Sequence, residues 1–85
     1  MINVRCLGHI GTSVGATEVV LEDSEISASE IVERLRARSA MKEPGFTRFN
    51  TIVLVEGGEG YVAATMDKQV RSGERVVLIP FSHGG

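Results

Sequence analysis

Val76-Val77-Leu78-Ile79-Pro80-Phe81-Ser82-His83-Gly84-Gly85 is the stretch on which the reading of this chain turns. Four consecutive apolar residues, three of them β-branched, make the kind of run that fills the centre of a sheet. Pro80 has no amide hydrogen and is expected to end the ladder there. The residues that follow form a short tail, and its last two are both glycine. At glycine's average usage of about 7%, such a pair closes roughly one chain in two hundred by chance. A frayed end is one reading of it. The other rests on placement, because a buried strand presents the pair from a rigid body. A tail from Pro80 to Gly85 reaches about 20 Å at roughly 3.3–3.6 Å per residue. Glycines have no Cβ to obstruct a narrow channel, so the Gly85 main-chain carboxylate is the least hindered acyl group a chain can offer. It is inert until one oxygen becomes a leaving group, which adenylation by ATP achieves.

The rest of the chain supplies a body for that strand. Ile2 to Leu7 alternates Ile2, Val4 and Cys6 against Asn3 and Arg5, a strand with one buried face. Gly8 to Gly15 reads as a hairpin connection; its glycines lack the Gly-Lys-Ser/Thr ending of a phosphate loop. Thr17 to Glu22 is a second strand, and Asp23 to Glu25 a turn. Ser27-Ala28-Ser29-Glu30 is a capping box, with Ile26 and Ile31 at hydrophobic-staple spacing. The helix is expected over 28–39, with Ala28, Ile31, Val32 and Leu35 on one stripe and Glu30–Arg34 as an i,i+4 pair. Arg34, Arg36 and Arg38 suit the helix C-terminus, as a solvated end or as a patch for an acidic partner.

Lys42-Glu43-Pro44-Gly45 stops the helix, and Met41, Phe46 and Phe49 are expected to fold back into the core. Thr51 to Glu56 is a third strand, Gly57 to Gly60 a tight turn, and Tyr61 to Ala64 a weaker strand. Met66 to Val70 is expected as one helical turn, Arg71 to Glu74 as another turn, and Arg75 to Ile79 as the last strand. One helix serves four or five strands, so the fold class is a two-layer α+β domain. Its core should join Val4, Ile31, Leu35 and Leu54. The helix can cover only one face of the sheet. Val20, Val76 and Leu78 are therefore expected to line an apolar partner-binding face, unless loops cover it. The domain should span 1–80, with 81–85 as a flexible tail.

Composition narrows the function classes. Eighty-five residues make one domain, with stability of about 5–10 kcal/mol. A net charge of −2 and no basic run give no footprint for nucleic acid. Phe46, Phe49, Phe81 and Tyr61 are too scattered to stack bases. No apolar stretch is long enough to span a membrane, no signal-peptide pattern opens the chain, and the single cysteine suits a reducing compartment. A cytoplasmic location is expected. Catalytic chemistry is missing from the pattern. Cys6 reads as an inert buried thiol, and His9 and His83 have no metal-ligating neighbours at the right spacing. One cysteine cannot hold an iron–sulfur cluster. His83 could help to position an activated acyl group or be a plain tail residue.

Taken together, the strand hairpin, the single helix, Ser72-Gly73-Glu74-Arg75-Val76-Val77-Leu78-Ile79-Pro80 and the closing Gly84-Gly85 resemble the MoaD/ThiS ubiquitin-like superfamily, which includes small archaeal-type modifiers. Ser72 replaces the acid usual before Gly73, and Glu74 the usual aspartate. The ending Ser82-His83-Gly84-Gly85 is also similar to that of the eukaryotic ubiquitin-related modifier. The resemblance implies a β-grasp fold with its first and last strands adjacent and parallel. It implies a ubiquitin-activating-type adenylating enzyme that uses ATP on Gly85, and a sulfur donor that yields a thiocarboxylate for molybdopterin, thiazole or tRNA pathways. In the modifier branch Gly85 is joined to lysines of target proteins. Phe81, Ser82, His83, Gly84 and Gly85 would enter the partner's channel, the partner being the activating enzyme or the large subunit of a synthase. No metal or organic cofactor is implied for the carrier, which is itself no enzyme. A β-grasp interaction module without acyl chemistry is the third reading.

Overall fold

The computed structural model describes residues 1–40 and 45–81. In chain order the elements are β1 (Ile2–Cys6), α1 (His9–Val14), β2 (Glu18–Leu21), β3 (Glu25–Ser27), α2 (Ala28–Arg38), β4 (Thr51–Gly57), β5 (Gly60–Ala64), β6 (Gln69–Arg71) and β7 (Arg75–Pro80). Five strands form a mixed sheet in the order β2-β1-β7-β4-β5, and β3 and β6 make a second, two-stranded sheet. The first and last strands are neighbours and run parallel, with Val4 opposite Val76 and Cys6 opposite Leu78. The other pairings are antiparallel. A parallel pair needs a crossover, and α2 provides it, lying across one face of the sheet. This is the β-grasp arrangement.

The helix forms where the cap and the stripe indicate. The Ser27 side chain accepts the amide hydrogen of Glu30 at 3.1 Å, one of the amides that the first turn leaves without a partner. Two more go to a different segment: Ala28 N–H donates to the Lys68 carbonyl and Ser29 N–H to that of Met66, both at 2.9 Å. Ala28, Ile31, Val32 and Leu35 are buried, and they meet Ile2, Val4 and Cys6 of β1, Val53 and Val55 of β4, and Val76 and Leu78 of β7 in one core. Phe46 is its largest fully buried side chain.

Several expectations need correction. Gly8 to Gly15 is more than a hairpin loop, since it carries α1. Glycine is required inside it, because a Cβ on Gly11 would stand 2.8 Å from the Cys6 carbonyl oxygen. Gly15 closes the turn in the left-handed region at φ 84°, where a side chain is strained. The helix α1 is fastened to the end of α2 through serines. Ser39 Oγ donates to the Ser13 carbonyl at 3.0 Å, so the Ser13 hydroxyl is left to donate to Ser39 Oγ at 2.8 Å.

Glu25 opens β3 instead of ending a turn, and 69–71 form β6 instead of a helical turn. These two strands pair where the carbonyls of Met66 and Lys68, just before β6, are held on the α2 N-terminus, just after β3. Arg34 forks onto Asp23 at 2.8 and 3.2 Å; Glu30 acts on it only at longer range. Phe49 is 70% exposed. The turn that Asn50 closes, with its N–H donating to the Thr47 carbonyl at 3.2 Å, carries it outward, and the Arg48 guanidinium lies 5.0 Å from its ring centre. Leu54 lies on the face away from α2, since Val53 and Val55 on either side of it are the buried residues. Met41 lies outside the described residues.

Candidate functional site

The candidate site has two described parts, the end of β7 at Pro80 and Phe81, the root of the expected tail, and the sheet face that α2 leaves bare. Ser82, His83, Gly84 and Gly85 lie outside the described residues. The root is built by β7. Its main chain continues past the proline, for Phe81 N–H donates to the Asn50 carbonyl at 3.0 Å. Alternation explains why Pro80 is tolerated in a central strand. Phe81 bonds towards β4, so the position before it faces β1. There β1 has already ended, its last contact being Leu7 N–H to the Leu78 carbonyl at 3.1 Å. The proline ring faces Gly8 instead, and a Cβ on Gly8 would stand 3.1 Å from its Cγ.

Asn50 organises the other side of the root. Its side-chain oxygen accepts Thr47 N–H at 2.7 Å, and the Thr47 hydroxyl accepts Phe49 N–H at 3.1 Å. Its main-chain oxygen is then fixed for Phe81. Phe49 and Phe81 are both exposed beside this point. No sequence signal marks Asn50 as a positioning residue, because nothing in the chain pattern says which strand its carbonyl would face.

The bare face differs from the expected one. Val20 is 45% exposed and does lie there. Val76 and Leu78 do not: at 1% and 0% exposure they point into the core. In register with buried Val4, Cys6, Val53 and Val55, they share the side that α2 covers. The β7 residues that turn to the bare face are Val77 and Ile79, half-buried beside Ile52 and Leu54 of β4. Tyr61 and Ala63 of β5 extend this apolar strip outward. Polar groups rim it: Arg5 and Glu18 on one side, and Arg75 facing Glu56 at 3.8 Å on the other. A shallow depression of about 190 Å³ lies among Asn3, Arg5, Glu18, Tyr61 and Arg75.

Ionisable groups near these parts are few. Burial pushes the Cys6 thiol above its ordinary value, with Arg38 pulling weakly the other way. It is held neutral beneath α2, away from solvent. Hydrogen bonding to Arg34 holds the Asp23 carboxyl below its usual range. His9 is exposed at the start of α1. Among the described residues no three metal-ligating side chains gather, and no helix is long and apolar enough to cross a membrane.

No family model and no curated protein matches the sequence. Solved structures do match the fold. SAMP1 from Haloferax volcanii, small archaeal modifier protein 1, is 18% identical with a TM-score of 0.67, over 99% of this chain and 98% of that one. A chain of the BexX/CysO complex from Amycolatopsis orientalis is 16% identical with a TM-score of 0.65, over the whole of both. The putative molybdopterin converting factor subunit 1 from Pyrococcus furiosus is 16% identical with a TM-score of 0.60, over 95% of this chain and 97% of that one. At these identities the likeness is one of fold, and that fold is the ubiquitin-like β-grasp.

Proposed function

We propose that this chain is a ubiquitin-like sulfur carrier that works through the main-chain carboxylate of Gly85. In this reading residues 1–80 are the presenting domain and 81–85 the tail that a partner takes up. A ubiquitin-activating-type enzyme transfers AMP from ATP to a carboxylate oxygen and releases pyrophosphate. A sulfur nucleophile then displaces AMP at the acyl carbon, leaving a thiocarboxylate for sulfur transfer in molybdopterin, thiazole or tRNA pathways. The chain supplies no nucleophile or base to these steps. Its part is to hold the acyl group out and to dock, which makes it a substrate or synthase subunit and no catalyst, working in the cytoplasm.

One observation carries this reading. A fold shared over nearly the whole of both chains with a molybdopterin converting factor subunit is joined here to a central strand that leads into Gly84-Gly85. The tail root supports it, since Asn50 and Gly8 fix β7 up to its last bond and so set where the tail starts. The bare face offers the docking surface through Val20, Val77, Ile79 and Leu54. The test is intact mass after incubation with ATP, the adenylating enzyme of the same source and a sulfur donor. One oxygen should be exchanged for sulfur, and fragmentation should place it on Gly85. An alanine added after Gly85 should stop the exchange, because the reacting carboxylate is moved. Exchange that persists in the extended chain, with no trimming back to Gly85, overturns the mechanism.

A second reading has its own support in the likeness to small archaeal modifier protein 1. The activated Gly85 would then be joined to lysines of target proteins. The same incubation in lysate would yield species of higher mass whose digests contain a lysine branched with the tail peptide.

A further inference from the structure

The main sheet has two free edges, and they differ in how they are protected. Cys6 N–H donates to the Thr17 carbonyl, so along β2 the odd-numbered residues bond β1, while Glu18 and Val20 turn their main-chain groups outward. A charge at that edge, Glu18, with Glu22 just beyond, discourages a further strand. The other edge, β5, has no such device. From Gly60 to Ala64 it carries no charge and no proline, and every residue has its partner on β4 without a bulge.

The same alternation fixes the direction of its main chain. Phe81 N–H bonds the Asn50 carbonyl, so the even-numbered residues of β4 bond β7 and the odd-numbered ones bond β5. Gly60, Val62 and Ala64 are therefore satisfied by β4, and Tyr61 and Ala63 present N–H and C=O at the free edge. No described main-chain group bonds them. The Val62 side chain, on the α2 side, is 66% exposed, and Tyr61, on the bare face, is 48% exposed.

We propose that β5 is a self-pairing edge, at which two copies of the chain join antiparallel about a two-fold axis through Val62. In this register Tyr61 of one copy meets Ala63 of the other, and each pair exchanges N–H···O=C bonds in both directions. The Val62 side chains face one another as a non-hydrogen-bonded pair, the type in which side chains stand closer. The large Tyr61 lies beside the small Ala63, and Glu59 falls opposite Thr65, so no like charges oppose. The strand is thus complementary to itself in bond direction, in size and in charge, which is the requirement for an isologous contact. Contact along one short strand falls below the roughly 1,200 Å² of a stable interface. The dimer therefore forms only at high chain concentration.

Sedimentation velocity on the full chain, from micromolar to millimolar, tests this. The mass should rise from 9.1 kDa towards twice that value. Over the same series, hydrogen exchange should slow at the Tyr61 and Ala63 amides and stay constant at Val62 and Ala64. Ala63→Pro removes an outward N–H without touching a β4 bond and should keep the chain monomeric throughout. Val62→Lys sets two cations face to face and should do the same, with circular dichroism confirming that both variants fold. A wild-type mass fixed at 9.1 kDa overturns the proposal. So does a dimer that survives both substitutions. Protection of Tyr61 and Ala63 that appears only when a foreign extended peptide is added, without self-association, assigns the edge to a different partner and also overturns it.

Discussion

The two faces of the five-stranded sheet are made from nearly the same residue types, yet they have opposite fates. On the covered face Val4, Val53, Val76 and Leu78 are fully or almost fully removed from water. On the bare face Ile52, Leu54, Val77 and Ile79, their immediate neighbours in sequence, stay half-exposed. Apolar content does not separate the two sets. What separates them is α2, whose single stripe of Ala28, Ile31, Val32 and Leu35 can seal only one side. The lesson is that an apolar strand in a two-layer fold does not itself say which of its residues form the core; the helix that covers one face decides it.

The sharpest break of this contrast is Leu35→Ala. It removes a fully buried side chain of the sealing stripe and should cost about 2–5 kcal/mol if the cavity cannot collapse, a large part of the stability of so small a domain. Chemical denaturation checks it, and an unchanged midpoint would place the stripe elsewhere. The matching change on the bare face is Val77→Ser. Half-burial makes its loss about 1 kcal/mol, while, under the proposed function, in which this face docks the activating enzyme, adenylation should fall steeply. A variant that unfolds instead would mean that this face is core.

Smaller effects come from ionisation at the margins of the covered layer. Arg34 lowers the Asp23 pKa from 3.8, so the folded chain keeps this charge after the unfolded chain has taken up its proton. Stability from the pair is complete above that ordinary value and is lost as pH falls through the lowered folded one. Asp23→Asn should therefore lower stability slightly across the neutral region, leave it unchanged at the acid extreme where the carboxyl is protonated in both states, and so flatten the acid limb of stability against pH. Cys6 works at the other end. Its folded pKa is raised from 9.0, so the unfolded chain ionises first and stability declines as pH rises past 9.0. Urea midpoints across pH read both limbs, and alkylation of Cys6 should track global unfolding. The smallest change in stability is expected for deletion of Gly84 and Gly85. It should stay within about 0.5 kcal/mol and abolish activation; a loss above about 1 kcal/mol would make the pair part of the packed body.

How much of this was legible in the sequence depends on whether local pattern carried the information. The α2 cap and stripe are local, and Ser27, Ile31 and Leu35 sit where they were expected. The parallel neighbours β1 and β7 were reached through the resemblance, as alternation in β1 says nothing of its partner. The facing of β7 was not legible. Val76 to Ile79 has no polar residue to mark a side, so only its register with Val4 and Val53 shows which residues are core. Nor could β3 and β6 be read, because three residues are too few for a period and their pairing depends on two carbonyls docked on a helix end. The short α1 is hidden by the glycines that permit it. At the candidate site, the closing residues 82–85 lie outside the described residues, and Asn50, which bonds Phe81 at the end of β7, emerges only from the fold.

The parallel pairing of β1 with β7 also decides how the molecule bears load. The chain enters β1 at one end of the pair and leaves β7 at the other. A partner that pulls on the tail while the N-terminal end is held would slide the two strands past each other, straining every rung between them together. Opening β4 from β5 at their hairpin would strain one rung at a time. Resistance to such a pull is governed by the unfolding rate along the pulled direction, so shearing β1 from β7 is a slower route to unfolding than peeling β5 from β4.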